Sequence, residues 1–339
     1  PSPETQALLS AALTRRHGTS IQTSTSTTNT GDHKGPLHFT QSPSPLRTRR
    51  IPQELPFVGR NDVFQKLLTI SQAASGGRGG AVLIQGEDGI GRSRLLNELA
   101  ATLFAEQPSW MILQGSCSPF DDLLSYGPFL EAFQNADLGD LIDLPSQARE
   151  TDASEQTRLL WSILQALRLL TRTAPLLLSI DDLQSANSPT LHLFCFLATR
   201  LHNLPVLLVG TAQRAEAIPA LQRLVTLERR HGDVHLLSLP PLSVEDVSIL
   251  TSSLGIASVS DTWAANTLPE WLYERSGGSP FIVAEIIAQL QAEGILTSNE
   301  NGLRLDIGRW RRWRATFSLP ETTHDLVAWR LTNLSPNAR

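Results

Sequence analysis

Lysine is almost missing from this chain. Lys34 and Lys66 are the only two among 28 Lys and Arg residues. An arginine at a position where a motif wants lysine therefore has two readings, drift in composition or loss of function. Cysteine is nearly as scarce, with Cys117 and Cys195 alone. Two such thiols cannot be a disulfide framework, and a reduced, cytoplasmic setting is expected. No run of about eighteen apolar residues occurs, which excludes a spanning helix. Charged residues are 18% of the chain with a net charge of -5, against about a quarter in ordinary domains. That balance excludes a protein that coats nucleic acid by bulk charge. The single methionine is Met111 and the chain opens at Pro1, so a fragment of a longer protein is expected. What is present is a normal supply of apolar residues, 41%. That excludes a wholly disordered chain, and 339 residues suffice for two or three domains.

Composition divides the chain. Residues 4–15 read as a short amphipathic helix, with Leu8, Leu9, Ala12 and Leu13 on one side. Residues 18–54 are rich in Ser, Thr and Pro and poor in large apolar side chains, the composition of a disordered linker. Folded sequence is expected from residue 55. Four apolar runs read as buried strands: AVLIQG (81–86), WMILQGSC (110–117), PLLLSIDD (175–182) and PVLLVGTA (205–212). Helical periodicity at 93–107, 155–173 and 188–202 separates them. The alternation predicts an α/β domain over 55–235, a parallel sheet with helices on both faces. Two capped helices, 242–255 and 279–294, predict a helical segment over 236–294. A hairpin at 295–306 and a further helix at 320–334 predict a winged-helix-like segment over 295–339.

The sharpest motif is Gly86-Glu87-Asp88-Gly89-Ile90-Gly91-Arg92-Ser93, followed by Arg94. It follows a predicted strand and opens a predicted helix, the context in which G-x-x-x-x-G-K-[ST] cradles phosphate. Its glycines let the backbone wrap an anion at the positive end of a helix, and Ser93 is placed to ligate Mg²⁺. Arg92 stands where lysine reaches the β- and γ-phosphates. It keeps the charge but carries a larger, planar head. The second motif is the acid pair at the end of a buried strand. Asp181 could hold Mg²⁺, and Asp182 could orient or deprotonate a water. Thr211, at the end of the next strand, would lie beside a γ-phosphate. Val58-Gly59-Arg60, before the first helix, offers a tight turn that could meet a base. Gly277-Gly278-Ser279-Pro280 is a glycine turn into a helix. His192, His202, His231 and His235 show no metal spacing. RLDIGRWRRWR (304–314) could bind nucleic acid or pack its tryptophans with the arginines outside.

Together these residues resemble the signal-transduction ATPases with numerous domains, the AAA-type module of large bacterial transcriptional regulators. FVGR (57–60) is similar to that family's opening motif, GEDGIGRSRLL (86–96) to its phosphate loop and LLLSIDDLQSAN (176–187) to its acidic strand. VGTAQRAE (209–216) resembles its sensor strand, LPPLSVEDV (239–247) the entry to its helical lid, and ERSGGSPFIVAEII (274–287) its G-N-P segment. SLPETTHDLVAWRLTNLSPNAR (318–339) resembles the stretch that leads into helical repeats, and PSPETQALLSAAL (1–13) the last helix of a bacterial transcriptional activator domain. On that resemblance residues 1–17 close a preceding helical domain, as in SARP-like activators.

The resemblance implies an ATP/ADP-binding switch with Mg²⁺, with no membrane contact. Nucleotide contacts fall to Val58, Gly59, Arg60, residues 86–94, Thr211 and Pro280. Ser93 and Asp181 serve the metal, and Asp182 catalysis. It also implies DNA binding through a domain outside this chain and homo-oligomer formation on activation. Departures from the family's pattern are Arg92 for lysine, Gln184-Ser185-Ala186-Asn187 for H-W-A-D, Gln213 at the sensor arginine and Ser279 for the asparagine of G-N-P. They imply slow hydrolysis. An efficient AAA-type ATPase and a nucleotide-free scaffold remain the alternatives. The linker composition makes a separate prediction: limited proteolysis should cut within 18–50 first. Protection of that stretch equal to the folded core would contradict it.

Overall fold

The computed structural model of the chain describes residues 55–106, 110–118, 125–136, 138, 153–231, 234–256, 262–299 and 302–317. The readings at 4–15, 18–54 and 318–339 lie outside these residues. The elements in order are α1 (Asn61–Ser75), β1 (Gly80–Gln85), α2 (Arg92–Glu106), β2 (Met111–Ser116), α3 (Gly127–Gln134), α4 (Ala153–Leu170), β3 (Leu176–Asp181), α5 (Ser188–Ala198), β4 (Val206–Ala212), α6 (Pro219–His231) and β5 (Val234–Ser238). There follow α7 (Val244–Ser253), α8 (Thr262–Ser276), α9 (Pro280–Ala292), β6 (Leu296–Asn299), β7 (Gly302–Leu305) and α10 (Ile307–Thr316). The chain divides into two units. One holds Phe64–Gln85 and Ser93–Ser238; the other holds the described residues up to Val63, Gly86–Arg92 and those from Leu239 onward.

The first unit is built on a five-stranded sheet in the order β2-β3-β4-β1-β5, with every pairing parallel. Strands β3 and β4 are buried at every position. Polar backbone in a parallel sheet is satisfied by its neighbours, and continuous burial requires cover on both faces. Helix α5 starts as its sequence directs: the Asn187 side chain accepts from the Thr190 amide at 3.1 Å, and Pro189 sits in the first turn. The core joins Leu83, Leu113, Phe129, Phe133, Leu164, Leu178, Phe194 and Leu208, all nearly inaccessible.

The fifth strand corrects the four-strand reading. Val234–Ser238 pairs with β1, Val82 opposite His235. As an edge strand it is only half buried, so its pattern VHLLS lacks the continuous apolar run that marked the others. Gly115 has no room for a side chain, since an added Cβ would lie 1.8 Å from the Pro128 carbonyl oxygen.

The second unit has its own core of Leu242, Val247, Leu250, Leu268, Leu272, Val283, Ile286, Leu290, Leu303 and Trp310. Helix α7 opens with a capping box: Ser243 Oγ accepts from the Asp246 amide at 3.1 Å, and Asp246 Oδ2 accepts from the Ser243 amide at 2.9 Å. The helix that follows the hairpin runs from Ile307 to Thr316, ahead of the stretch at 320–334 where one was expected. Its tryptophans pack inward. Trp310 is fully buried edge-to-face with Trp271 at 6.3 Å, and Trp313 stacks on Phe317 at 4.3 Å. Arg304, Arg309, Arg311 and Arg312 lie outside, so the packing reading of this segment holds. Trp310→Ala should destabilise this unit by about 3–5 kcal/mol, read as a lower urea midpoint in tryptophan fluorescence. An unchanged midpoint would show that α10 does not contribute to the core.

Candidate functional site

The phosphate-loop candidate connects β1 to α2. A buried apolar strand and a helix starting at Arg92 leave Gly86–Gly91 to make the turn. Two glycines carry it into conformations closed to other residues, Gly89 at φ 76° and Gly91 at φ 100°. The Ile90 amide donates to the Glu87 carbonyl at 3.2 Å, and the Ile90 side chain is buried. The first turn of α2 has no preceding helical carbonyls for its amides, so its positive end faces the loop.

Arg92 is buried to 7% exposure, and its guanidinium folds back on its own loop. Nη1 donates to the Gly86 carbonyl, and Nη2 pairs with Asp88 Oδ1 at 3.2 Å. Arg94 points along the helix instead, 3.7 Å from Glu98. Glu87 is exposed and Ser93 half-buried.

The start of α9 meets this loop within the same unit. The Gly89 carbonyl accepts from the Phe281 amide at 3.1 Å and from Ser279 Oγ at 3.4 Å. Pro280 is the first residue of α9, where its missing N–H costs nothing. Arg60, expected beside a base, is 6% exposed and spans two carbonyls: Nη1 to Pro240 at 2.7 Å and Nη2 to Ile90 at 3.1 Å. Burial pulls its guanidinium below the usual arginine range, and the charge of Asp246 works the other way. Gly59, at φ 68°, must be glycine, because an added Cβ would lie 2.5 Å from the Asp246 carboxyl carbon. Val58 packs against the core of the second unit.

The acid pair belongs to the first unit. The register that sets Ile180 opposite Gly210 continues to bring Asp181 to Thr211. Thr211 is fully buried and its hydroxyl is committed twice. It donates to Asp181 Oδ1 and accepts the Asp182 amide at 2.9 Å. Asp181 is 4% exposed. Asp182 takes a left-handed backbone, φ 57°, which Asp tolerates better than most residues. Its Oδ1 accepts from Gln184 Nε2 at 2.9 Å, while Gln184 Oε1 accepts the Gln213 amide at 3.2 Å. Oxygen donors of this kind, a serine hydroxyl and one carboxylate, suit Mg²⁺. Among the described residues no group of three or more His, Cys, Asp or Glu could hold a metal ion. Burial pushes the Cys195 thiol up to about 11, partly offset by Arg223, and Cys117 is buried too. Neither is a poised nucleophile.

Residues 56–209 match the family model of the AAA ATPase domain. No curated protein matches the chain significantly in sequence. Its fold is shared with a chain of the Escherichia coli MS115-1 HORMA:CdnC:Trip13 complex, at 15% identity and TM-score 0.52, covering 78% of this chain and 90% of that one. It is similar to Cdc6p from Pyrobaculum aerophilum, at 16% identity and TM-score 0.50 over 73% of this chain and 65% of that one. It is also similar to the ORC1 protein of Aeropyrum pernix, solved in complex with DNA, at 15% and 0.51 over 84% and 71%. The five-stranded parallel sheet thus has the architecture of P-loop NTPases.

The sequence reading overlooked Ser279 Oγ and the Phe281 amide as partners of the loop, and Gln184 and Gln213 as partners of the acid pair. Only the departures from the family's motifs at 184, 213 and 279 marked three of these positions. Thr211→Val removes a hydroxyl that satisfies two buried groups. It should cost about 1–3 kcal/mol in denaturant unfolding, with Thr211→Ser recovering most of it. Equal stability of Val and Ser variants would mean the hydroxyl is not holding the acid pair.

Proposed function

We propose that the chain carries an AAA ATPase domain, the nucleotide-binding switch of a bacterial multidomain transcriptional regulator, holding ATP or ADP with Mg²⁺ and hydrolysing slowly. The observation that carries the slow-hydrolysis reading is the placement of Arg92. Its guanidinium is bonded to the Gly86 carbonyl and to Asp88, so reaching a γ-phosphate means giving up both contacts. The loop amides and the end of α2 attract phosphate without any side chain, so binding survives what hydrolysis loses. Stabilising charge that shifts during phosphoryl transfer demands a positioned cation, and a fork-shaped head already engaged is poorly placed for it.

Residue by residue, the backbone of 86–92 cradles phosphates, Ser93 and Asp181 hold Mg²⁺, and Asp182 orients the water. The bond from Gln184 supports the role of Asp182 by fixing its carboxylate. Thr211 acts through Asp181 and Asp182. When bound, Mg²⁺ supplies charge neutralisation at the β- and γ-oxygens. The transcriptional role follows from the resemblance of FVGR, GEDGIGRSRLL and LLLSIDDLQSAN to signal-transduction ATPases. DNA contact is assigned to a domain outside this chain, and homo-oligomers form on activation. The intact pair Asp181–Asp182 would also serve an efficient ATPase, the second reading.

Calorimetry and a phosphate-release assay separate the two. We expect measurable ADP affinity and very slow release of phosphate by the natural chain. Arg92→Lys should raise hydrolysis at least about tenfold, or about 1.4 kcal/mol of barrier, with a smaller gain in ADP affinity. Asp182→Asn should abolish turnover and spare binding, whereas Asp181→Asn should weaken Mg²⁺-dependent binding. Fast hydrolysis by the natural chain would favour the second reading, and no binding of either nucleotide would refute both.

A further inference from the structure

The carbonyls of the phosphate loop are held partly from within and partly from outside. The Gly86 carbonyl accepts from Arg92, Glu87 from the Ile90 amide, Gly89 from the Phe281 amide and Ser279 Oγ, and Ile90 from Arg60. Three of these donors lie far along the chain from the loop: Arg60 in the segment before α1, and Ser279 and Phe281 at the start of α9. In a planar trans peptide the carbonyl and the next N–H point in opposite directions. A donor on the Ile90 carbonyl therefore turns the Gly91 N–H away from Arg60. A donor on the Gly89 carbonyl fixes the Ile90 peptide, whose amide closes the turn onto Glu87. A loop rich in glycine has many backbone conformations to lose. It presents convergent amides to an anion only if something holds its peptides in one orientation.

We propose that Arg60 and the turn Ser279–Phe281 are positioning residues for the phosphate loop, an outer brace that pre-orients its amides for the phosphates of a bound nucleotide. The inference rests on the reading above that this loop binds phosphate. It assigns the Arg60 side chain to the backbone of the protein and leaves the backbone of the turn before α1 open to a base. The guanidinium suits the task because its fork reaches two carbonyls at once, Ile90 in the loop and Pro240 at the entry to the lid. Asp246 balances its charge, and the close fit of Gly59 on the Asp246 carboxylate keeps that partner near. The lid side of the brace is backbone as well. The Gly89 Cα faces Phe281 so closely that an added Cβ would lie 2.7 Å from the Phe281 Cβ. Pulling the start of α9 from Gly89 would free the loop, so the seating of that turn and phosphate affinity are coupled.

The test uses the full chain, Mg-ADP as probe, and two readouts: calorimetric affinity and hydrogen exchange of the amides in 86–92. Phe281→Pro removes the donating N–H at a first-turn position where proline is tolerated, and Phe281→Ala removes the ring but keeps the N–H. Their difference isolates the backbone bond. Arg60→Ala removes both arms of the fork, and Arg60→Lys keeps the charge with reach to one carbonyl. Ile249→Ser, at an exposed site on α7, controls for unrelated changes, and thermal midpoints verify folding.

The brace predicts loop exchange faster and Mg-ADP weaker, each by about tenfold, in Phe281→Pro relative to Phe281→Ala. It predicts the same for Arg60→Ala, with Arg60→Lys between it and the natural chain. Loop exchange unchanged in folded Arg60→Ala and Phe281→Pro would overturn it. If the natural chain binds no Mg-ADP, the nucleotide reading fails, and the exchange data alone decide whether the brace exists.

Discussion

A glycine-rich loop offers convergent N–H groups to an anion only when its peptides are held in one orientation. In this chain that constraint organises the residues around Gly86–Arg92. The loop cannot satisfy itself, because only the Ile90–Glu87 contact closes within its own turn without a side chain. Arg92, Arg60 and the first residues of α9 supply the rest. At Gly278 two backbones approach too closely for a side chain, an added Cβ lying 2.3 Å from the Leu242 carbonyl oxygen, while Gly59 and Gly89 sit against the Asp246 carboxylate and the Phe281 side chain. The core of the second unit, built on Trp271, Leu290 and Trp310, in turn holds α9.

A parallel economy governs the acid pair. A carboxylate at 4% exposure needs compensation, and the hydroxyl of Thr211 provides it while also capping the Asp182 amide. One residue at the end of β4 thereby sets the geometry of two at the end of β3. The left-handed backbone of Asp182 belongs to the same arrangement, since strained single residues cluster where a side chain must be aimed.

Much of this was legible in the residues. The continuous apolar runs that became β1, β2, β3 and β4 can be satisfied only in a covered parallel sheet, and the loop and acid pair are local in sequence. What escaped is long-range or weakly patterned. β5 is an edge strand that is only partly buried. Helix α6 keeps Leu221 and Leu224 in the core among polar neighbours. Helix α8 carries Pro269 in its interior, a residue that argues against a helix until packing overrides it. Helix α10 was hidden by its arginines, whose stems leave Trp310 free to fill the core. The role of Arg60 depends on Pro240 and Ile90, and no local pattern announces such a contact.

The central claim is that the loop binds a nucleotide's phosphates without a lysine. The most direct measurement is to denature the purified chain and identify what it releases by anion-exchange chromatography. The account predicts ADP or ATP in near-stoichiometric amount, retained from expression or after incubation with Mg-ATP and washing. A chain that retains neither, while its loop and lid are folded, would contradict it.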